Sequence, residues 1–249
     1  MHIRVQESGF HQEITVYDTT DWYGEKGSFR VLQFANGDTQ GAIDLNHPER
    51  MLFEYPRTMI HLLKHNVPES EDVFIIGHGI GTIAGHLTGK RCKVAEIDAR
   101  VVELSRTWFG YRLDNVTIGD GRRILEQEKP HTYDCVVLDA FTEKGTPQTL
   151  ISREFFDIIR DKLNGHGMVL LNLMGKGEHD PVINAVHTTL SESFSYTRAF
   201  VLPSAHAGEI CNVLMIGSGR PIGCQARRMA GFRELEPGPG YVIRDKQQE

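Results

Sequence analysis

A short apolar run that leads into three alternating glycines constrains the fold of this chain more than any other feature. The run, residues 73–76, is followed by Gly77, Gly79 and Gly81. Such a run is typical of a buried parallel strand, and glycines directly after it allow a backbone to approach a ligand closely. Glu96 ends the next apolar segment, where a carboxylate can accept hydrogen bonds from both hydroxyls of a ribose. This arrangement predicts a site for a nucleoside.

The spacing of the glycines distinguishes two kinds of nucleoside site. A dinucleotide-binding fingerprint has its third glycine at the position that Thr82 occupies here. The spacing therefore favours an enzyme of the S-adenosylmethionine type. A tight turn between strand and helix also favours glycine for structural reasons alone, so the turn by itself does not decide between a binding loop and a structural one.

Length and composition are typical of an ordinary globular protein. The chain has 249 residues, of which 40% are hydrophobic, and a formal net charge of -6. That charge gives no general attraction to nucleic acid or to anionic lipid. No apolar run reaches the ~18 to 20 residues of a membrane helix, and the first residues lack the apolar stretch of a signal peptide. We therefore predict a cytoplasmic protein that binds neither nucleic acid nor a membrane.

The cysteines, histidines and serines exclude several classes of chemistry. The four cysteines lie far apart, mostly within apolar segments, which predicts free thiols. The twelve histidines show no metal-ligand spacing, so no metal is predicted. No serine lies in the context of a nucleophile elbow, which disfavours serine hydrolase chemistry.

The residues before the glycine loop predict a small β region followed by one helix. Alternating β-branched and aromatic residues, interrupted by Asn36-Gly37, predict short antiparallel strands joined by hairpins. Apolar residues at helical spacing between residues 48 and 65 predict an amphipathic helix. The predicted strands are residues 13–17, 29–34 and 40–43. We assign residues 1–47 to the N-terminal β-strand region and residues 48–70 to the connecting helix.

From residue 73 onward predicted strands alternate with helices, which predicts a parallel sheet covered by helices on both faces, an α/β Rossmann-like fold. The predicted strands are residues 73–76, 92–97, 115–118, 135–138, 168–173, 196–201 and 212–216. The clearest helices are residues 99–109 and 152–163, the second with Ser152 as its N-cap and with Gly165 or Gly167 ending it at positive φ. We assign residues 71–219 to this domain. Residues 220–249 are rich in proline, glycine and charge, and are expected to form an extended or partly disordered polar tail.

Polar side chains at the predicted strand ends mark the ligand crevice, which lies outside the carboxyl ends of the strands in such sheets. Asp120 can accept a hydrogen bond from an adenine amino group or serve as a solvated turn residue. Asp139 can take a proton from an attacking amine, hold a cationic group, or cap the following loop. Asn172 lies near the end of a further strand. His78, inside the glycine loop, either contacts a cofactor or faces solvent.

Several blocks of sequence, in their order, resemble the spermidine synthase family of polyamine aminopropyltransferases and its spermidine synthase-like branch, over roughly residues 10–217. The blocks are His11-Gln12 with the strand after it, residues 36–40, 53–59, the glycine loop, residues 96–98, 119–120, 133–139 and 152–156. The resemblance implies an N-terminal β domain, a Rossmann-like domain and a homodimer. It also implies transfer of an aminopropyl group from decarboxylated S-adenosylmethionine to an amine, with release of methylthioadenosine.

The resemblance also implies roles for individual residues. The donor would be bound by the three glycines, by Glu96 at the ribose, by Asp120 at the adenine and by Gln40. Asp139 would be the catalytic base or the amine anchor. Tyr55, Arg57, Thr142 and Gln12 are assigned to the acceptor side of the pocket.

Three positions depart from the pattern of the polyamine-making members. Ile80 stands where the family usually has an aspartate for the donor's amine, and Thr142 replaces a second acid after Asp139. Arg57 stands where those members have a glutamate for the acceptor's distal ammonium, and an arginine repels an ammonium and prefers a carboxylate. These departures disfavour putrescine. They keep open intact S-adenosylmethionine as the donor, or an amino-acid-like acceptor.

Three functions therefore remain from the sequence. The first is aminopropyl transfer to a small-molecule amine, with Asp139 as the base. The second is methyl or aminocarboxypropyl transfer from S-adenosylmethionine. The third is a nucleoside-binding homologue without catalysis.

Overall fold

The chain is described by a computed structural model that covers residues 1–10, 13–35, 37, 39–142, 145–177, 179–204 and 209–246. Its N-terminal part is a four-stranded antiparallel sheet with the strands in chain order. The strands are β1 (His2–Ser8), β2 (Glu13–Trp22), β3 (Glu25–Phe34) and β4 (Thr39–Asp44). The sequence predicted the last three. It missed β1 because most residues of this edge strand are exposed and only Ile3 and Val5 are apolar.

One helix, α1 (Glu54–Asn66), connects this sheet to the main domain. It begins six residues later than the predicted start at residue 48. Pro56 lies in its first turn, where a missing N–H removes no helical hydrogen bond. Met59, Leu62 and Leu63 are buried and attach the helix to one face of the main sheet.

The main domain contains an eight-stranded sheet in the order β12-β10-β11-β9-β8-β5-β6-β7. Its strands are β5 (Asp72–Ile76), β6 (Arg91–Glu96), β7 (Val116–Ile118), β8 (Tyr133–Leu138), β9 (Leu163–Gly175), β10 (Tyr196–Val201), β11 (Cys211–Ser218) and β12 (Arg233–Leu235). Strands β5 to β9 pair in parallel, as predicted, whereas β11 is antiparallel to both of its neighbours. The segment between β10 and β11, residues 202–210, is too short for a crossover helix, so the chain returns in the opposite direction.

Among the described residues, five helices cover this sheet in addition to α1, namely α2 (Thr82–His86), α3 (Ala99–Trp108), α4 (Gly121–Glu126), α5 (Arg153–Lys162) and α6 (Pro181–Ser193). Ser152 caps α5 as predicted, because its hydroxyl accepts the N–H of Phe155 at 3.3 Å. The predicted range of 152–163 matches α5 with its two caps, but the predicted glycine ending is wrong. The helix ends at Lys162 and passes directly into β9, and neither Gly165 nor Gly167 has a positive φ.

The sheet is buried on both faces, which explains its apolar strands. In β5, Phe74 and Ile76 face a core shared with α4, α5 and α6, while Val73 and Ile75 face a core shared with α1 and α2. A third apolar cluster, which includes Ile14, Leu32, Ile80 and Leu104, joins the N-terminal sheet to α3. The carboxyl ends of β5, β6, β8 and β9 therefore open at one edge of a rigid, packed framework.

The segment after residue 220 differs from the expected extended or partly disordered tail. It adds the edge strand β12 to the main sheet. Met229, Phe232, Leu235 and Ile243 are buried in the two main cores. These few apolar residues are diluted by charges, prolines and glycines, so average composition hid a segment that packs on the domain. No helix of the described residues is both long and apolar enough to cross a bilayer.

Candidate active site

The glycine loop after β5 has a backbone that only glycine adopts easily. Gly77, Gly79 and Gly81 have φ values of 97°, 54° and 85°. A Cβ on Gly77 would lie 2.0 Å from the carbonyl oxygen of Asp139, and one on Gly81 would lie 2.2 Å from the ring of Tyr111. The loop therefore touches the residue that follows β8, which brings the predicted nucleoside site and the predicted base together.

Glu96 lies buried at the end of β6, directly against the glycine loop. Its Oε2 accepts the backbone N–H of His78 at 2.8 Å, and its Oε1 accepts the N–H of Asp98 at 2.9 Å. Burial raises the pKa of this carboxyl, and the two backbone hydrogen bonds oppose that shift. Each oxygen retains a further lone pair, so the carboxylate can still accept from two ribose hydroxyls.

His78 does not face solvent, which corrects one of the two predictions made for it. Its side chain is buried, and Nε2 lies 2.8 Å from the hydroxyl of Ser105. That hydroxyl donates to the carbonyl of Val102, so it can only accept from His78, and Nε2 carries the proton. Burial, with a contribution from the charge of Arg106, lowers the pKa of His78 to about 4. A neutral imidazole held in this way supports the loop and provides no cation for a ligand carboxylate.

Asp139 lies partly buried at the end of β8, where three elements meet. Its Oδ1 accepts a hydrogen bond of 2.8 Å from Nδ2 of Asn172, and the hydroxyl of Tyr55 on α1 is its second side-chain donor. Burial raises the pKa of Asp139, while both hydrogen bonds lower it. The pKa of Tyr55 lies well above its ordinary value because of burial and the neighbouring carboxylate. Asp139 is thus a carboxylate with two donors and little solvent, the environment of a general base.

Asp120 is the N-cap of α4. Its Oδ1 accepts the N–H groups of Arg122 and Arg123 at 2.9 and 3.2 Å. The residue is exposed, and both capping bonds go to Oδ1, so neither of them uses Oδ2. An adenine amino group would therefore meet Oδ2, so the cap and the predicted adenine contact are compatible.

Gln40 and Thr142 both lie beside this crevice. The carbonyl oxygen of Gln40 would be 3.2 Å from a Cβ on Gly79, so the start of β4 lies against the glycine loop. The hydroxyl and the N–H of Thr142 both donate to the carbonyl of Gly145 at 2.9 Å, so Thr142 and Gly145 are held next to each other in the segment after Asp139. Gln12, the remaining predicted pocket residue on the N-terminal side, lies outside the described residues.

Arg57 is not brought to Asp139. Its guanidinium is exposed and contacts Glu54 at 3.1 Å and the carbonyl of Phe53 at 3.2 Å. Tyr55 and Arg57 are two residues apart on α1, so their side chains point to different sides of the helix. Arg57 as an acceptor-binding residue stays a prediction.

Ile80 has a structural explanation. Its side chain is buried in the cluster that joins the N-terminal sheet to α3, and it occupies the space that a side chain on Gly41 would need. An apolar residue here stabilises the contact between the two parts of the chain. The side chain at this position is therefore part of the packing between the two parts of the chain.

Sequence reasoning missed two residues that extend the site. Asn212 and Met174 lie next to Asn172, and Asn212 donates to Asn172 Oδ1 at 2.9 Å. The sequence feature that could have pointed to them is Asn212 itself, a polar residue at the start of the otherwise apolar segment 212–216. Without the pairing of β9 with β11, this asparagine is indistinguishable from an ordinary polar residue at a strand end.

Comparison with protein families identifies the chain. The model of the spermine/spermidine synthase domain matches residues 52–222, well over half of the sequence. The chain belongs to the spermine/spermidine synthase family. Members of this family named spermidine synthase are aminopropyltransferases, and the match includes the glycine loop, Glu96, Asp120 and Asp139.

The curated relatives of this chain are named for two different activities. Spermidine synthase of Schizosaccharomyces pombe is 24% identical over 207 residues, which cover 75% of this chain and 69% of that protein. Putrescine N-methyltransferase 2 of Nicotiana tabacum is 29% identical over 136 residues, which cover 50% of this chain and 38% of that protein. The match to the methyltransferase thus spans well under half of its length.

Solved structures share the fold. A probable spermidine synthase from Corynebacterium glutamicum superimposes with a TM-score of 0.84 at 18% identity, over 100% of this chain and 98% of that one. Spermidine synthase from Thermotoga maritima superimposes with a TM-score of 0.66 at 18% identity, over 96% and 81% of the two chains. The α/β fold with an N-terminal antiparallel sheet is therefore that of this family.

Proposed function

We propose that the protein transfers an aminopropyl group from decarboxylated S-adenosylmethionine to an amine. The observation that supports the proposal is the contact between the glycine loop and Asp139, a partly buried carboxylate directly after β8. A base at that position lies beside the sulfonium end of a bound donor and can meet an incoming amine. Orientation and proton removal are the two contributions that this reaction requires from a protein.

The reaction balances with one carboxylate. The lone pair of the amine nitrogen attacks the donor carbon bonded to the sulfonium, and the carbon–sulfur bond breaks with its electron pair moving to sulfur. Sulfur becomes a neutral thioether in methylthioadenosine. The nitrogen loses one proton, which Asp139 accepts. Tyr55 remains protonated beside Asp139 because its pKa is raised, so it acts as a hydrogen-bond donor and not as a second base.

The donor would be held by the residues around the glycine loop. Glu96 would accept hydrogen bonds from the ribose hydroxyls, and Asp120 would accept from the adenine amino group through its uncapped oxygen. Gly77, Gly79 and Gly81 permit close approach of the backbone, and Gln40 adjoins the loop from β4. No metal is part of the proposal.

The acceptor would enter next to Tyr55 and Asp139, with Thr142 contributing from the segment after Asp139. Gln12 is included on the family resemblance alone. We propose a small molecule with a primary amine or an amino-acid-like group. Arg57 would contact it only after leaving Glu54, and a carboxylate on the acceptor would favour that exchange. A homodimer and a cytoplasmic location are further proposals, which rest on the family resemblance.

Methyl or aminocarboxypropyl transfer from intact S-adenosylmethionine is the second candidate. Two observations favour it, namely the likeness to a putrescine N-methyltransferase and the apolar Ile80 in place of the aspartate that would bind the amine of the decarboxylated donor. A homologue that binds nucleosides without catalysis is the third possibility.

Paired calorimetric titrations test which donor is bound. Decarboxylated S-adenosylmethionine, S-adenosylmethionine and methylthioadenosine are titrated separately into the protein. The proposal expects the decarboxylated donor to bind at least about tenfold more tightly than the intact one, because no described cation faces the donor carboxylate from the glycine loop. Tighter binding of the intact donor would replace aminopropyl transfer by the second candidate, and binding of neither would favour the third.

A further inference from the structure

Asp139 is the end of a chain of hydrogen bonds that runs across two strands. Asn172 on β9 donates to Asp139 Oδ1 at 2.8 Å. Asn212 on β11 donates to the amide oxygen of Asn172 at 2.9 Å, and its Nδ2 also lies 3.4 Å from the sulfur of Met174. The series therefore reads Met174, Asn212, Asn172, Asp139.

Strand pairing places these side chains together. Asn212 lies directly opposite Met174 in the antiparallel pair of β9 and β11. Asn172 precedes Met174 by two residues, so both point to the same face of the sheet. That face is the one covered by α1, which contributes Tyr55 to Asp139. The contact of Asn212 with Asn172 and Met174 therefore follows from the register of the antiparallel pair of β9 and β11.

The chain of hydrogen bonds has a fixed direction. The thioether of Met174 has no hydrogen to donate, so the amide nitrogen of Asn212 must face it. The same nitrogen donates to the oxygen of Asn172, which leaves the nitrogen of Asn172 to face Asp139. Rotating the Asn172 amide would place its oxygen against a carboxylate and its nitrogen against another nitrogen. Asn172 is 1% exposed, so water cannot compensate for either mismatch.

We propose that Asn172, oriented by Asn212 and Met174, is a positioning residue that keeps Asp139 ionised and leaves the free lone pairs of its carboxylate directed at the acceptor amine. This inference rests on the proposed function. A buried carboxyl tends to hold its proton, and a protonated Asp139 accepts none from the amine. A donor of fixed orientation stabilises the carboxylate form selectively.

The groups around Asp139 determine how strongly its ionisation depends on the hydrogen bond from Asn172. Among the described residues, Tyr55 on α1 is the titratable side chain that faces Asp139, and it stays protonated. The glycine loop presents only backbone at Gly77, and β9 presents the neutral Asn172. No described lysine or arginine forms an ion pair with Asp139. Hydrogen bonds alone therefore oppose the effect of burial on its pKa.

The test compares pH profiles of kcat/KM for Asn172→Ala, Asn212→Ala and the unchanged protein, with decarboxylated S-adenosylmethionine as donor. The probe acceptor is the member of a panel of small amines, putrescine included, that the unchanged protein uses best. The matched control is Asn164→Ala. Asn164 lies on the same strand and also donates to an aspartate, Asp134, but at the opposite end of the sheet. Methylthioadenosine titrations report whether each variant is folded and binds nucleoside.

We expect the acid limb of the profile to move to higher pH in Asn172→Ala, with kcat/KM about tenfold lower at pH 6 and near the original value at pH 9. Asn212→Ala should show a smaller shift in the same direction, and Asn164→Ala none. An equal loss at every pH, or an unmoved acid limb, would overturn the inference. If Asn172→Ala fails to bind methylthioadenosine, the profile of Asn212→Ala decides in the same way.

A second measurement separates this inference from the proposed function. The carbon-13 resonance of the Asp139 carboxyl, assigned with Asp139→Asn, is titrated in the same variants. If the unchanged protein turns over no member of the amine panel at any pH, the proposed function has failed, and the titration decides the network alone. An upward shift of the Asp139 midpoint in Asn172→Ala supports the network, and an unchanged midpoint refutes it.

Discussion

At the scale of single residues, Gly77 connects the two halves of the site. Its φ of 97° and the 2.0 Å between its missing Cβ and the Asp139 carbonyl exclude any side chain. We expect Gly77→Ala to lower the free energy of unfolding by about 3 kcal/mol or more and to abolish turnover. The control is Gly85→Ala in α2, where a Cβ meets nothing within 4 Å and should raise stability by ~0.5 to 1 kcal/mol. Equal effects of the two changes in chemical denaturation would contradict this account.

The two carboxylates of the crevice have separable roles in the proposed function. Asp139→Asn should reduce turnover by about a hundredfold or more, since it removes the proton acceptor, and should leave methylthioadenosine binding nearly unchanged. Glu96→Ala should weaken that binding by about tenfold or more, since it removes a charged hydrogen-bond acceptor. Turnover rates and calorimetric Kd values for methylthioadenosine, measured for each variant, check the two predictions. Normal turnover by Asp139→Asn would show that Asp139 is not the base.

His78 predicts a pH effect on stability. Its pKa is near 4 in the folded protein and 6.5 when unperturbed, so below pH 6.5 the unfolded chain binds a proton that the folded chain does not. The stabilisation is therefore complete above pH 6.5 and is lost as the pH falls towards 4. Between pH 7 and pH 4 the stability difference between the protein and His78→Leu should shrink by roughly 3 kcal/mol. A constant difference in denaturant titrations would show that His78 is not held neutral.

At the scale of elements, the C-terminal segment ties the site to the outer helices. Arg122, which follows the cap Asp120, forms two hydrogen bonds of 2.9 and 2.6 Å with Asp245. The backbone carbonyl of Ile243 accepts the N–H of Arg153 at the start of α5, and the backbone N–H of Ile243 donates to Thr189 on α6. The segment thus holds α4, α5 and α6 together below the crevice.

The buried side chain of Ile243 gives this attachment its hydrophobic part. Ile243→Ala should lower the free energy of unfolding by about 2 to 4 kcal/mol, because it leaves a cavity in the core under α6. Tyr241→Ala, two residues earlier and 65% exposed, should change it by less than about 0.5 kcal/mol. Thermal and urea unfolding check both, and an Ile243→Ala protein as stable as Tyr241→Ala would mean that the segment is not part of the core.

At the scale of the whole molecule, the sequence predicted what local pattern determines. Apolar runs of four to six residues identified the buried strands. Polar residues near the ends of these runs marked the carboxyl edge of the sheet, where the structure has Glu96, Asp120 and Asp139. The antiparallel insertion of β11 was not predictable, because pairing depends on the order in which distant strands assemble. Asn212 and the burial of His78 followed from that pairing and from packing on α3, so both were invisible in the chain alone. From the sequence alone, Ile80 indicated the loss of a donor-binding aspartate. Its packing role became visible only through its contact with Gly41 in the structure.

The measurement that tests the central claim most directly is product identification by mass spectrometry. The protein is incubated with decarboxylated S-adenosylmethionine and, separately, with S-adenosylmethionine, each with a panel of small amines and amino acids, and Asp139→Asn serves as the control. The account predicts methylthioadenosine and an aminopropylated amine from the decarboxylated donor, both absent with Asp139→Asn. S-adenosylhomocysteine with a methylated acceptor, formed only from the intact donor, would contradict aminopropyl transfer.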